Sequence, residues 1–264
     1  MVWWLFKKKS VGLVLGGGVA RGIAHVGVIR TLKEAGVPID LIVGTSSGSL
    51  VGAALAAGLE QQMIEEIVLR IKWGEFFKFA FFRPGLASAE AIEEFVVKYI
   101  GDYRFSDLKI PFATVATDLR TGNRVVIREG RIAKAVAASA TFPGFFAPEE
   151  FHGKHLIDGG IAGNVPVDSA RELGAQYIIA SDAVPSRTVK AVPADPLQML
   201  GRSLDMILKR LSAEEAHRAD ALIELDMEED IWHLDFHKAK KLITAGEIAA
   251  HRAINKIRRD LRLR

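Results

Sequence analysis

The chain has 264 residues, 49% of them hydrophobic, and a net charge of +3, which suits one large α/β domain and excludes a disordered chain. It contains no cysteine, which excludes thiol nucleophiles, disulfides and thiolate metal sites and fits a reducing compartment. Residues 236–264 carry a net +7 and residues 1–9 three lysines, leaving −7 for residues 10–235; that body is a poor nucleic-acid cradle, while the basic ends suit an anionic membrane.

The opening Val2-Trp3-Trp4-Leu5-Phe6 is far shorter than the roughly 20 residues of a membrane span and has no signal-peptide pattern. With Lys7, Lys8 and Lys9 it forms an apolar, basic segment, 1–9, suited to a membrane interface; the plainer reading is a frayed or docked terminus. Residues 10–264 are expected to form a single domain. The run 11–15 is a buried strand stopped by Gly16, Gly17 and Gly18. A helix over 21–35 follows, capped by Gly36 and blocked by Pro38. A second strand, 41–43, leads into an alanine-rich helix, 48–57. Strand, glycine turn and helix, twice over, predict crossover units and a mainly parallel sheet.

A helix over 60–72 precedes an aromatic patch: Phe76, Phe77, Phe79, Phe81 and Phe82. The patch is either a strand or cap over the core, or an acyl-chain wall or interfacial lid. Ser88 caps a helix through Ile100, and 111–117 pairs with 124–128 across Thr121-Gly122-Asn123. A helix over 131–140 ends near Phe142-Pro143-Gly144. Residues 155–158 are a short strand and 177–180 another. Residues 184–196, with three prolines, are the one linker-like stretch. A helix from about 197, a strand over 221–225 and a long basic C-terminal helix complete the chain.

Three motifs carry chemistry. Gly44-Thr45-Ser46-Ser47-Gly48 is a G-x-S-x-G between strand and helix, where a sharp turn lifts a serine hydroxyl out of the sheet. Ser46, with glycine at both i−2 and i+2, is the nucleophile candidate, and Ser47 is its neighbour. Gly16-Gly17-Gly18-Val19-Ala20-Arg21-Gly22 also joins strand to helix and offers amides to an anion. It is read either as a dinucleotide loop with Asp40 as the ribose acid, or as an oxyanion hole facing the serine. The six-residue dinucleotide fingerprint is not met, and a shared sheet edge favours the oxyanion hole. Asp158-Gly159-Gly160 ends a short strand; its acid is expected to approach the serine from that same edge, and the bland alternative is a turn. No histidine has a loop setting that announces a triad, and His25, His152, His155, His217, His233, His237 and His251 are expected to be structural or surface residues.

In this order and spacing the motifs resemble the patatin-like phospholipase family, especially its compact bacterial members, over roughly residues 10–250. Ala116-Thr117-Asp118-Leu119 and the segment 138–144 add to the resemblance. It implies a three-layer α/β/α sandwich and a serine–aspartate dyad without histidine. Ser46 would be the nucleophile and Asp158 the general base. The oxyanion loop would be Gly16, Gly17, Gly18, Val19 and Arg21, with the Gly17 and Gly18 amides as first candidates and Val19 lengthening the loop. No metal or cofactor is implied. The expected substrate is a lipid or acyl ester, and the expected location is the cytoplasm, peripheral to the inner membrane face. The competing classes are a nucleotide- or anion-binding α/β protein using residues 16–22, and a non-catalytic lipid-binding module.

Overall fold

The computed structural model describes residues 9–70, 88–185, 192, 193, 195–227, 229, 231, 232 and 234–263. The segment 1–8, the aromatic patch at 76–82, His233 and most of the 184–196 stretch lie outside those residues.

Eight strands form one sheet: β1 Val11–Leu15, β2 Leu41–Thr45, β3 Phe112–Asp118, β4 Arg124–Ile127, β5 Glu149–Phe151, β6 Lys154–Asp158, β7 Tyr177–Asp182 and β8 Ala221–Glu224. Hydrogen-bonded neighbours follow the path β5-β6-β3-β2-β1-β7-β8, with β4 also on β3. The pairs among β3, β2, β1, β7 and β8 are parallel, and those involving β4, β5 and β6 are antiparallel.

Strand periodicity divides the core between the two faces of the sheet. Val11, Leu13 and Leu15 of β1, Ile42 of β2, and Tyr177 and Ile179 of β7 pack in one apolar cluster. That cluster includes residues of α1 (Ala24–Glu34), α2 (Ser47–Ala57), α3 (Gln61–Arg70) and the C-terminal helix, Ala239–Leu261. The alternate residues Val14, Leu41, Val43, Ile178 and Ala180 meet Val167 and Ala170 of a short helix, Val167–Glu172, and Ala216 of the helix Pro196–His217. Helices therefore cover both faces of a central sheet. In chain order we label Glu90–Tyr99 α4, Ile132–Ala140 α5, Gly160–Gly163 α6, Val167–Glu172 α7, Pro196–His217 α8 and Ala239–Leu261 α9.

Three departures from the sequence reading bear on the site. The first α-helix begins at Ala24 and not at 21, since residues Val19–Ile23 form a 3-10 turn, entered through Val19 at φ 51. A strand, β5, precedes β6, and the hairpin between them turns at His152 and Gly153, both at positive φ. Asp158 consequently arrives on an antiparallel strand, which brings it to the carboxyl end of β2. Register shows how it still reaches Ser46. β4 lies beside both 114–115 and 116–117 of β3, so β2 and β6 share the opposite side and abut end to end. Thr45 pairs with Val115, and Asp158 with the next residue, Ala116.

Candidate active site

Ser46 occupies the single residue between β2 and α2, at φ 52 and ψ −123. A non-glycine residue there stores about 1–3 kcal/mol of backbone strain, held by its surroundings. The first turn of α2 lies so close to β1 that a Cβ on Gly48 would sit 2.6 Å from the Gly16 carbonyl oxygen. The Ser46 N–H donates to the Ser139 hydroxyl at 2.9 Å. Ser139, on α5, donates to the Val115 carbonyl at 2.6 Å, and its own carbonyl accepts the Gly159 N–H at 3.2 Å. One buried residue thus ties the serine turn and β3 through its hydroxyl and the aspartate loop through its carbonyl. Ser47 begins α2, and its buried hydroxyl has no protein partner among the described residues.

Asp158 is buried, with the Ser46 side chain beside its carboxylate. Oδ1 accepts the Gly160 N–H at 2.8 Å. Its backbone is fixed on both sides, the N–H donating to the Thr141 carbonyl at 3.0 Å and the carbonyl accepting the Thr117 hydroxyl at 2.8 Å. Burial pushes the carboxyl up to about 6, opposed by the neighbouring Ser46 side chain and the Gly160 N–H. At neutral pH it remains ionised yet is a stronger base than an exposed aspartate.

The glycine loop is narrower in its chemistry than the sequence suggests. The Gly16 N–H donates to the Ser181 carbonyl at 2.9 Å. Asn164 takes the Gly17 N–H at 3.0 Å and returns a bond to the Gly17 carbonyl at 3.1 Å. Arg21 donates its amide to the Gly18 carbonyl at 3.0 Å. Its guanidinium forms a bidentate pair with Asp205 of α8 at 2.6 and 2.8 Å. Gly16, Gly17 and Arg21 are therefore already engaged. The amides of Gly18 and Val19 have no protein acceptor among the described residues. Asp40 lies at the far end of β1, where its carboxylate accepts the Val11 N–H at 2.8 Å. It is a strand's length from the glycines and cannot serve them as a ribose acid.

His25 is fully buried beneath the loop, with Nε2 2.8 Å from the Gly16 carbonyl and Nδ1 2.9 Å from the Ser181 hydroxyl. Burial lowers it to about 4, so it is neutral, and these partners assign the proton to Nε2. Among the described residues no histidine hydrogen-bonds Ser46 or Asp158. Asn164, Ser139, Asp205 and the His25 contact escaped the sequence reading. Ser139 alone left a trace, as the one hydroxyl in Ala137-Ala138-Ser139-Ala140.

Ser46 opens onto a cavity of about 290 Å³ among the described residues. Leu50, Val51 and Ala54 of α2, Ile64 and Val68 of α3, and Phe95 of α4 line it, and Phe142, Phe145 and Trp232 add aromatic surface. Asp195, Gln198 and Asp235 supply polar groups. A serine–carboxylate pair at an apolar cavity is suited to attack on an ester carbonyl whose acyl chain prefers to leave water.

Known proteins resemble this chain in sequence and in fold. The sequence model of the patatin-like phospholipases matches residues 13–171. The chain belongs to the patatin-like phospholipase family. A patatin-like phospholipase domain-containing protein of Caenorhabditis elegans is 32% identical over 215 residues, covering 77% of this chain and 15% of that protein. An uncharacterised NTE family protein of Mycobacterium bovis is 35% identical over 206 residues, covering 73% of this chain and 56% of the relative. The fold is similar to that of VipD from Legionella pneumophila, with a TM-score of 0.57 and 14% identity over 95% of this chain and 67% of VipD. The present patatin-like chain thus spans only part of the relatives it matches. Among its described residues, no helix is long and apolar enough to cross a membrane. Much of the positive charge at its C-terminal end is engaged locally. Lys238 and Lys241 pair with Glu229, Arg252 with Asp226, and Lys256 with Asp260.

Proposed function

We propose that the chain is a serine acyl hydrolase that cleaves carboxylic esters of lipids, as a phospholipase A, lysophospholipase or esterase. The pairing of Ser46 with the buried Asp158 carboxylate at the cavity carries this reading. Ser46 Oγ attacks the ester carbonyl carbon as its proton passes to Asp158. The alkoxide of the tetrahedral intermediate is held by the Gly18 and Val19 amides, each donor of this kind being worth about 2.7–4 kcal/mol. Collapse expels the alcohol, which takes the proton from Asp158, and leaves an acyl group on Ser46. Water then attacks that ester as Asp158 accepts its proton, and collapse releases the carboxylic acid while Asp158 returns the proton to Ser46 Oγ. The family membership and the apolar walls support a lipid substrate over a nucleotide, as does the placement of Asp40.

The domain is taken as 10–264, and the protein as cytoplasmic, in peripheral contact with the inner face of an anionic membrane. The net charge of the two termini supports that location. The test is turnover of p-nitrophenyl esters and lysophospholipids by the native chain and by Ser46→Ala. Loss confined to the variant supports the reading. Absence of turnover in folded native protein favours the non-catalytic lipid-binding module.

A further inference from the structure

Helix α8 carries a face that no other part of the described molecule covers. Met199, Leu200, Met206, Ile207 and Leu211 are between 46% and 59% exposed. Their spacing, 199/200, 206/207 and 211, places them along one side of the helix over about 18 Å. Solvating five large apolar side chains on one helix face is unfavourable, and a contiguous patch of this kind marks an interaction surface.

The same stretch has an unusual charge distribution. Between 196 and 213 the charged residues are Arg202, Asp205, Lys209 and Arg210. Asp205 is buried against Arg21, and Lys209 is engaged by Asp182 and Glu224. The charges left to the outer side are Arg202, half-buried, and Arg210, exposed; one turn on, the exposed Glu214 is paired with Arg218. Apolar side chains flanked by arginines complement an anionic lipid surface. The face also continues into the site, since Leu200 and Gly201 at its start line the cavity that reaches Ser46.

We propose that the outer face of α8 docks on an anionic bilayer, with the cavity mouth against the lipid. A substrate molecule would then pass from bilayer to cavity along apolar surface, without crossing water. This inference rests on the ester-hydrolase reading for its purpose, but docking itself is measurable without turnover.

The experiment uses the full chain with Ser46→Ala, so that vesicles are not consumed. Binding to vesicles of phosphatidylglycerol and phosphatidylcholine is compared with binding by Ser46→Ala carrying Ile207→Glu and Leu211→Glu. Both added positions are exposed and lie outside the cavity lining, so the fold is expected to hold. The expected result is at least about tenfold weaker binding by the glutamate variant. In the Ser46 background, the same two substitutions should leave p-nitrophenyl butyrate turnover unchanged and reduce hydrolysis of vesicle lipid. Equal vesicle binding with and without the glutamates would overturn the inference, as would no binding by either protein. A lipid-free dimer that the glutamates split would overturn it in favour of a second copy. Loss of butyrate turnover in the native chain would instead count against the hydrolase reading, while the binding comparison would still decide the docking.

Discussion

Asn164 holds both backbone polar groups of Gly17, its amide oxygen accepting the N–H at 3.0 Å and its amide nitrogen donating to the carbonyl at 3.1 Å. Its own backbone N–H donates to the Ser212 hydroxyl of α8 at 2.8 Å. The contact fixes the peptide that precedes Gly18, and hence the direction in which the Gly18 N–H points.

Asn164 should accordingly act as a positioning residue. Asn164→Ala is expected to lower kcat by about a hundredfold with KM little changed, since a small misplacement of catalytic donors costs on that order. Steady-state kinetics on a folded variant check this. An equal loss in KM, with kcat preserved, would place Asn164 in substrate binding.

The elevated Asp158 gives two pH signatures. Activity should fall with acid through about pH 6, where the base becomes protonated. Stability behaves differently. Folded Asp158 holds its proton up to about 6 against an ordinary value of 3.8, so its contribution falls as pH rises through that window. Asp158→Asn should therefore abolish turnover yet stabilise the protein at neutral pH, by up to about 3 kcal/mol. Chemical denaturation of the two proteins at pH 8 measures this difference.

His25 works in the opposite sense. Its folded value of about 4 lies below its ordinary 6.5, so its contribution is complete above 6.5 and is lost as pH falls toward 4. Without Asp158 to offset it, the Asn variant should lose stability more steeply than the native chain between pH 6 and pH 4. His25→Ala should cost about 2–4 kcal/mol through its two buried hydrogen bonds. Replacing His152, His155, His217, His237 or His251 should leave substantial turnover. Melting curves and rates for these variants separate the structural histidine from the others.

The sequence made Ser46 and Asp158 legible because each sits in a local pattern whose glycines are required by close backbone approach. The parallel strands and the helices from residues 41 to 140 were equally legible, since buried runs and caps are local signals. The partners that shape the site were not. Asn164 and Gly17 are separated by 147 residues, Ser139 and Ser46 by 93, and Arg21 and Asp205 by 184. No periodicity or spacing announces such pairs, because the sheet register and the position of α8 create them. The antiparallel entry of β6 was hidden for the same reason. A three-residue partner strand, β5, is too short to declare itself by alternation.

The cavity predicts chain-length selection. Ala54 lines it on α2, two helical turns beyond Ser46. Ala54→Leu should reduce turnover of long-chain p-nitrophenyl esters relative to butyrate, each excluded methylene forfeiting about 0.8 kcal/mol of burial. An equal fall for both lengths would show that the acyl chain lies elsewhere.

The central claim is that Ser46 is the nucleophile and Asp158 its base. Its most direct test is labelling with an alkyl fluorophosphonate, followed by mass mapping of the adduct. The account predicts one adduct, on Ser46, that is absent from Ser46→Ala, retained by Ser47→Ala and formed much more slowly in Asp158→Asn. An adduct on Ser47, or full labelling of folded Asp158→Asn, would contradict it.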